Sequence, residues 1–389
     1  MKILMVHNRY LIRGGEDEIF DSESKLLEAH NHEIIKYIQN NKIIQDIPRL
    51  KLGIRTIWSQ EDYINIKEII KYKKPDLIYV QNFFPLVSPA VYYAAKQENI
   101  PIFQYLQNYR FWCLNGYFFR EEKVCEDCLG KTLAIPGIAR QCYRNSFGAS
   151  FSVASMLFVH NMINTWNKTV DAYIASTEFS KQKFIEGKLS SEKVFVKPNF
   201  IPDPNVGKGN GNFVLFVGRL SPEKGISFLL QTWKQLGSKI TLKIVGDGDL
   251  QSEVEQAANE TIGIEYLGRQ PIDRVYDLMG QAKALIFPSL WYEGLPRTII
   301  ESFAKGTPVI ASNLGAMSSL IEHQKTGLHF TPRSVEELNQ QINWMLNNPL
   351  QWQQIRIAAR KEFEAKYTAE ASYQQLMDIY NKVLAQRVR

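Results

Sequence analysis

The chain is poor in the residues that usually announce a metal or disulfide site. Only four of its 389 residues are cysteine and six are histidine. The histidines stand apart, with no two at metal-ligand spacing. His7 follows the first apolar run and by position is expected to face a ligand, whereas His160 sits in an uncharged stretch and reads as a core residue. No G-x-G-x-x-G follows that first run, and no acidic residue is placed there for an adenosine ribose, which argues against a dinucleotide-dependent dehydrogenase. No basic stripe interleaved with aromatics occurs, so nucleic acid is not expected as a partner. The start, MKILMVHNRY, runs straight into a strand-like segment. It lacks the basic region, apolar block and small-residue cleavage site of an exported protein, so a cytoplasmic protein is expected.

Long uncharged runs are equally scarce. The exception is NSFGASFSVASMLFVHNMINTWN (145–167), long enough to cross a bilayer. His160, the asparagines after it and several serines would be costly in hydrocarbon, so it reads as a buried or partly interfacial helix. Excess charge is modest too. Residues 1–200 carry 26 Lys+Arg against 21 Asp+Glu, or +5, and the remainder 20 against 19, or +1. A basic first half suits an anionic membrane surface or a phosphate-bearing ligand. An ordinary solvated surface fits equally well.

What the sequence has is a pattern stated twice. Strand-like runs at 3–8, 33–38, 76–82, 101–107, 172–177 and 194–199 alternate with helical segments such as 16–30. After IPDPNVGKGNGN (201–212), a linker by composition, strand-like runs return at 213–220, 241–247, 264–268, 284–289 and 307–312. This alternation predicts α/β domains with parallel sheets covered by helices. The length fits two domains of about 150–200 residues. The expected boundaries are 1–204 and 205–368, with a terminal helix in 369–389 packing back on the first domain. Two doubly wound domains facing each other leave a deep cleft, and ligands of such sheets bind beyond the carboxyl ends of the strands.

The motifs fall at such ends. In VGRLSPEKG (217–225), Arg219 and Lys224 flank a Ser-Pro turn, a fixed guanidinium and a flexible ammonium suited to a diphosphate. VGDGD (245–249) is a glycine turn of weaker meaning. WYEGLPRTIIESFAKG places Glu293 and Gly294 in a loop, Pro296 at an expected first helical position and Glu301 two turns into the helix. Unpaired amides at that helix start suit an anion, and Glu301 suits a diol; an exposed helical glutamate is the plain alternative.

VGRLSPEKG followed by the Glu-x7-Glu of EGLPRTIIE resembles the retaining glycosyltransferases of family 4 (glycosyl transferases group 1), which have the GT-B fold. That resemblance implies an enzyme that moves a sugar from a nucleoside-diphosphate donor, UDP favoured, to a saccharide or lipid-linked acceptor. It implies retention of anomeric configuration, no need for a divalent metal, and work in cell-envelope polysaccharide synthesis at the inner face of the plasma membrane. Arg219 and Lys224 would hold the diphosphate and Glu301 the ribose. Glu293, with the loop at Gly294, Leu295 and Pro296, would meet sugar and phosphate. Gly14 and Gly15 match the family's first-domain glycine turn, and Gly268 and Arg269 would lie by the base. A sugar-nucleotide epimerase or hydrolase and a non-catalytic sugar-nucleotide-binding protein are the alternatives.

The chain departs from the family at LQNYR (106–110), where Gln107 occupies the place of a histidine. Glutamine can hydrogen-bond a sugar but cannot ionise near neutral pH. Gln107, Asn108, Tyr109 and Arg110 are still expected on the acceptor side. Beside them Cys113, Cys125, Cys128 and Cys142 form C-x11-C-x2-C-x13-C in an insertion at about 111–145. Four thiolates suit a structural zinc. Free thiols and disulfides are the alternatives, the latter rare in a reducing compartment.

Overall fold

The structure, a computed structural model, describes residues 1–387. The chain divides into two compact units. One comprises Met1–Phe118, Cys125–Lys197 and the chain from Tyr373 on; the other comprises Phe119–Val124 and Pro198–Ser372.

The first unit is built on six parallel strands, lying side by side in the order Glu33–Asn40, Lys2–Arg9, Leu77–Asn82, Ile102–Leu106, Ala172–Ala175 and Val194–Val196. Ile3 to Val6 and Leu77 to Val80 are fully buried. Helices on both faces explain why these strands read as unbroken apolar runs rather than alternating ones. Gly14 caps the helix Gly15–Ala29, whose first turn carries Glu16, Asp17 and Glu18 at the positive end of its dipole. The terminal helix Ala369–Arg387 adds its Leu376, Tyr380 and Val383 to this unit's core. Tyr380 meets Phe103 at 4.5 Å and Tyr79 at 5.9 Å.

The second unit repeats the plan with six parallel strands, in the order Ile264–Tyr266, Thr241–Val245, Phe213–Val217, Ala284–Phe287, Val309–Ser312 and Gly327–Phe330. The last of these was not anticipated. GLHF is only four residues long and half-exposes its histidine, so it carries neither a long apolar run nor a clean alternation. Two clusters cover the faces, one around Trp233 and the other around Phe303 and Phe363.

Composition misled at the supposed linker. Residues 201–212 lack helix and strand, yet Gly207, Gly209 and Gly211 donate to the carbonyls of Lys305, Gly280 and Gln281 at 2.8–2.9 Å. A Cβ on Gly207 would stand 2.2 Å from Gly280 Cα. The glycines there serve close packing on the second unit, and the division into units falls earlier, between Lys197 and Pro198. The uncharged run is helical over Phe147–Met162. Among the described residues no helix is long and apolar enough to cross a membrane.

Candidate active site

In the second unit, two strand ends build one polar locus. After Phe213–Val217 the chain turns through Ser221 and Pro222, and Gly225 takes φ +72. A side chain there would bring Cβ within 2.1 Å of Pro288 O, so only glycine lets this turn lie against the loop after Ala284–Phe287. That approach brings Lys224 Nζ within 2.7 Å of Glu293 Oε1. Ser289 Oγ donates to the same oxygen at 2.9 Å. Lys224 also stands 5.4 Å from the Trp291 ring centre, so the ammonium is fixed by a carboxylate and an aromatic face together. Glu293 is 6% exposed.

The helix expected after Pro296 runs Arg297–Ala304, with Pro296 as its cap rather than its first residue. Gly294, Leu295 and Pro296 form the loop between. Glu301 is 9% exposed, not the solvated residue of the plain alternative. It helps push the Tyr276 hydroxyl up to about 12, although burial is the larger cause. Arg219 and Arg269 are placed differently from Lys224. Arg219 is 64% exposed and 3.3 Å from Glu223; Arg269 is 83% exposed and 3.6 Å from Asp247. Gly268 has φ +65, and nothing lies within 4 Å of a Cβ built there. Gly246, in the weaker glycine turn, has φ +148 and would meet Gly218 O at 1.8 Å.

The hairpin of Phe119–Arg120 and Lys123–Val124 comes from the cysteine insertion yet belongs to the second unit. Phe119 packs edge-on to Trp291 at 6.4 Å, and Arg333 Nη2 donates to Glu122 O at 2.9 Å. Nothing in the insertion's sequence signals that attachment.

In the first unit, LQNYR spreads over three environments. Gln107 Nε2 donates to Gln81 Oε1 at 2.6 Å. Gln81 in turn donates to Glu23, which is paired with the buried Lys197. Asn108 Nδ2 donates to Glu16 Oε1 at 2.7 Å, and Tyr10 Oη donates to Glu16 Oε2 at 3.0 Å. Burial pushes the Glu16 carboxyl up against the lowering effect of Asn108 and Arg110. Tyr109 is not on this polar side: it is 3% exposed and packs on Phe118 and Phe184. The Arg110 guanidinium lies 4.4 Å over Phe84 and donates to Leu114 O. His7 differs from the positional expectation. It is fully buried, 2.8 Å from Asp17 Oδ1 and stacked on Phe20, and burial holds its pKa below the ordinary histidine value. Gly14 and Gly15 face open space, with nothing within 4 Å of an added Cβ.

Sequence reasoning missed Glu16 and Tyr10. The acidic run directly after Gly14-Gly15 was the available signal, because carboxylates collect at helix starts. The four cysteines are partly buried and lie in one module. Burial and the other three sulfurs push the Cys128 thiol up to about 11. Among the described residues no three His, Cys, Asp or Glu side chains form a group that could hold a metal ion.

Residues 199–362, all within the second unit, match the family described as Glycosyl transferases group 1. An uncharacterized glycosyltransferase of Methanocaldococcus jannaschii is 29% identical over 55% of this chain and 60% of its own length. The lipopolysaccharide 1,2-N-acetylglucosaminetransferase of Salmonella typhimurium is 29% identical over 55% of this chain and 63% of its own. The matches span about three-fifths of the length of these two curated relatives. A solved structure, Anabaena HepE in complex with UDP, is 19% identical, covers 98% of this chain and 100% of that one, and has a TM-score of 0.69. The fold is of the GT-B type.

Proposed function

We propose that this protein transfers a sugar from a nucleoside-diphosphate-sugar to a saccharide or lipid-linked acceptor, with retention at the anomeric carbon and without a divalent metal. The observation that carries the reading is the fixed trio of the second unit: Lys224 locked to Glu293, and Glu301 buried in the helix that follows. UDP is the favoured nucleotide, supported by the HepE structures with UDP and with UDP-glucose. A role in envelope polysaccharide synthesis is supported by the lipopolysaccharide-building relative.

Lys224 and Arg219 hold the diphosphate in this reading and stabilise the negative charge that develops as the glycosidic bond to phosphate breaks. Glu293 exchanges its bond to Lys224 for hydroxyls of the sugar once phosphate takes the ammonium. Glu301 accepts from the ribose diol. The first unit contributes the polar group of Gln107, Asn108 and Glu16 toward the acceptor, and the acceptor hydroxyl loses its proton to the departing phosphate. Positioning and electrostatics then supply most of the rate.

A thermal-shift screen of UDP-, GDP- and ADP-sugars tests the donor site. A donor at 100 times its Kd stabilises the fold by about 2.7 kcal/mol. One nucleotide class is expected to shift the wild type and neither Glu301→Ala nor Lys224→Ala. No shift with any donor overturns the reading. Retention is read from the anomeric coupling of the product, and metal independence from turnover in a chelator.

A further inference from the structure

The first unit carries a cavity of about 100 Å³, walled by Trp112, Lys131, Asn164 and Lys188 among others. That is room for several waters. No carboxylate lines it. Its walls come from the cysteine insertion, from the segment leading into the strand Ala172–Ala175 and from the turn ahead of Val194–Val196. The cavity therefore lies toward the amino ends of those strands, opposite the ends where such sheets take their usual ligands.

What it offers is almost entirely donors. Three asparagines line it, and each has its amide oxygen engaged already. Asn161 Oδ1 accepts from Trp166 Nε1 at 2.7 Å, Asn164 Oδ1 from Asn167 Nδ2 at 3.2 Å, and Asn167 Oδ1 from the Ser190 amide at 2.9 Å. The carbonyls of Thr132 and Lys188 accept from Asn161 and Asn167 in turn. Trp112 is 5% exposed, yet its Nε1 has no hydrogen-bond partner. That nitrogen lies beside Gly187, where an added Cβ would come within 2.2 Å of it. Lys131 and Lys188 are exposed, and among the described residues neither is within ion-pair distance of a carboxylate.

We propose that this cavity binds a phosphoryl oxyanion, either free or carried on a saccharide. Oxyanions only accept, which matches a wall of amide, indole and ammonium donors. A buried N–H without a partner is destabilising, and an anion oxygen satisfies it. A neutral sugar ring fits worse. Its hydroxyls must also donate, the amide oxygens are taken, and the rings of Trp112 and Trp166 are buried rather than open for stacking. The site shares no residue with the proposed donor site, and the inference does not depend on sugar transfer.

Indole N–H resonances of the isotope-labelled full-length protein test it, titrated with orthophosphate, glucose 1-phosphate, glucose and, at equal ionic strength, chloride. The Trp112 resonance, identified by its loss in Trp112→Phe, is expected to shift saturably with phosphate but not with glucose or chloride. Tighter binding of orthophosphate would make the free ion the ligand; tighter binding of glucose 1-phosphate would make it a phosphosugar. Lys131→Gln with Lys188→Gln should weaken binding by about tenfold or more through two lost charged donors. Both lysines are exposed, so this variant is expected to stay folded. Lys234→Gln with Lys361→Gln, exposed on the other unit, should bind as wild type.

No saturable shift of the Trp112 resonance with either phosphate overturns the proposal. So does an equal shift with glucose, which would make the cavity a neutral sugar site. An equal loss in the Lys234/Lys361 control also overturns it, by assigning binding to net charge. Equilibrium dialysis of radiolabelled orthophosphate against wild type and the Lys131/Lys188 variant makes the same comparison if Trp112→Phe fails to fold. Equal uptake by those two proteins sinks the proposal.

Discussion

Glu23 and Lys197 are each about 1% exposed and paired, and a buried pair behaves asymmetrically when cut. Lys197→Met leaves an uncompensated carboxylate and is expected to destabilise the first unit by about 3–5 kcal/mol in urea. Adding Glu23→Gln should restore much of that, because the stranded charge is gone. In the proposed donor site the effect is on affinity. Each charged hydrogen bond is worth about 1.5–3 kcal/mol, so Lys224→Ala should weaken donor binding by roughly tenfold to hundredfold in calorimetry. A Lys224→Ala protein that binds donor as tightly as wild type would remove Lys224 from the site. Lys224 was legible in the sequence because it follows a strand end with a recognisable Ser-Pro turn beside it; Glu23 and Lys197 carried no such signal. Glu16 and Tyr10 were not legible: Tyr10 donates to Glu16, and Glu16 in turn accepts from Asn108, 92 residues away along the chain.

Glycine separates the elements that need special backbone from those that merely have room. Gly246 has φ +148 and Gly218 O in the path of a Cβ; Gly246→Ala is expected to cost about 1–3 kcal/mol in chemical denaturation. Gly15 opens a helix in ordinary geometry with space around it, so Gly15→Ala should stabilise by about 0.4–1 kcal/mol through the unfolded chain. If a donor phosphate approaches that helix start, the same substitution weakens donor binding while raising stability. An increase in both would place the donor elsewhere. The terminal helix was visible as a segment in the sequence; its attachment through Tyr380 to Tyr79 and Phe103 is a meeting across some 300 residues that no local pattern records.

Across the whole molecule, burial lowers the pKa of His7, His160 and His329, and of His32 to a lesser burial. A histidine held neutral in the fold binds fewer protons than in the unfolded chain below its ordinary pKa of about 6.5. Stability is therefore fully present above that value and falls as pH drops through it toward the lowered folded values. The denaturation midpoint should decline between pH 7.5 and pH 5. His160→Gln, which can keep hydrogen bonds to Thr165 and Ile57, should flatten the decline. A wild-type midpoint that rises on acidification would contradict this account.

The sequence by itself determined the repeated parallel sheets, the terminal helix and the motifs at the strand ends, because apolar runs and turn residues act over a few neighbours. Only the tertiary structure decided which of those residues meet. It paired Lys224 with Glu293, buried Tyr109 and His7 where ligand-facing positions were expected, laid the glycine-rich 201–212 stretch along the second unit, and carried a hairpin out of the cysteine insertion to Trp291. Each of these outcomes depends on a contact between distant segments, whose geometry is fixed by packing and not by spacing along the chain.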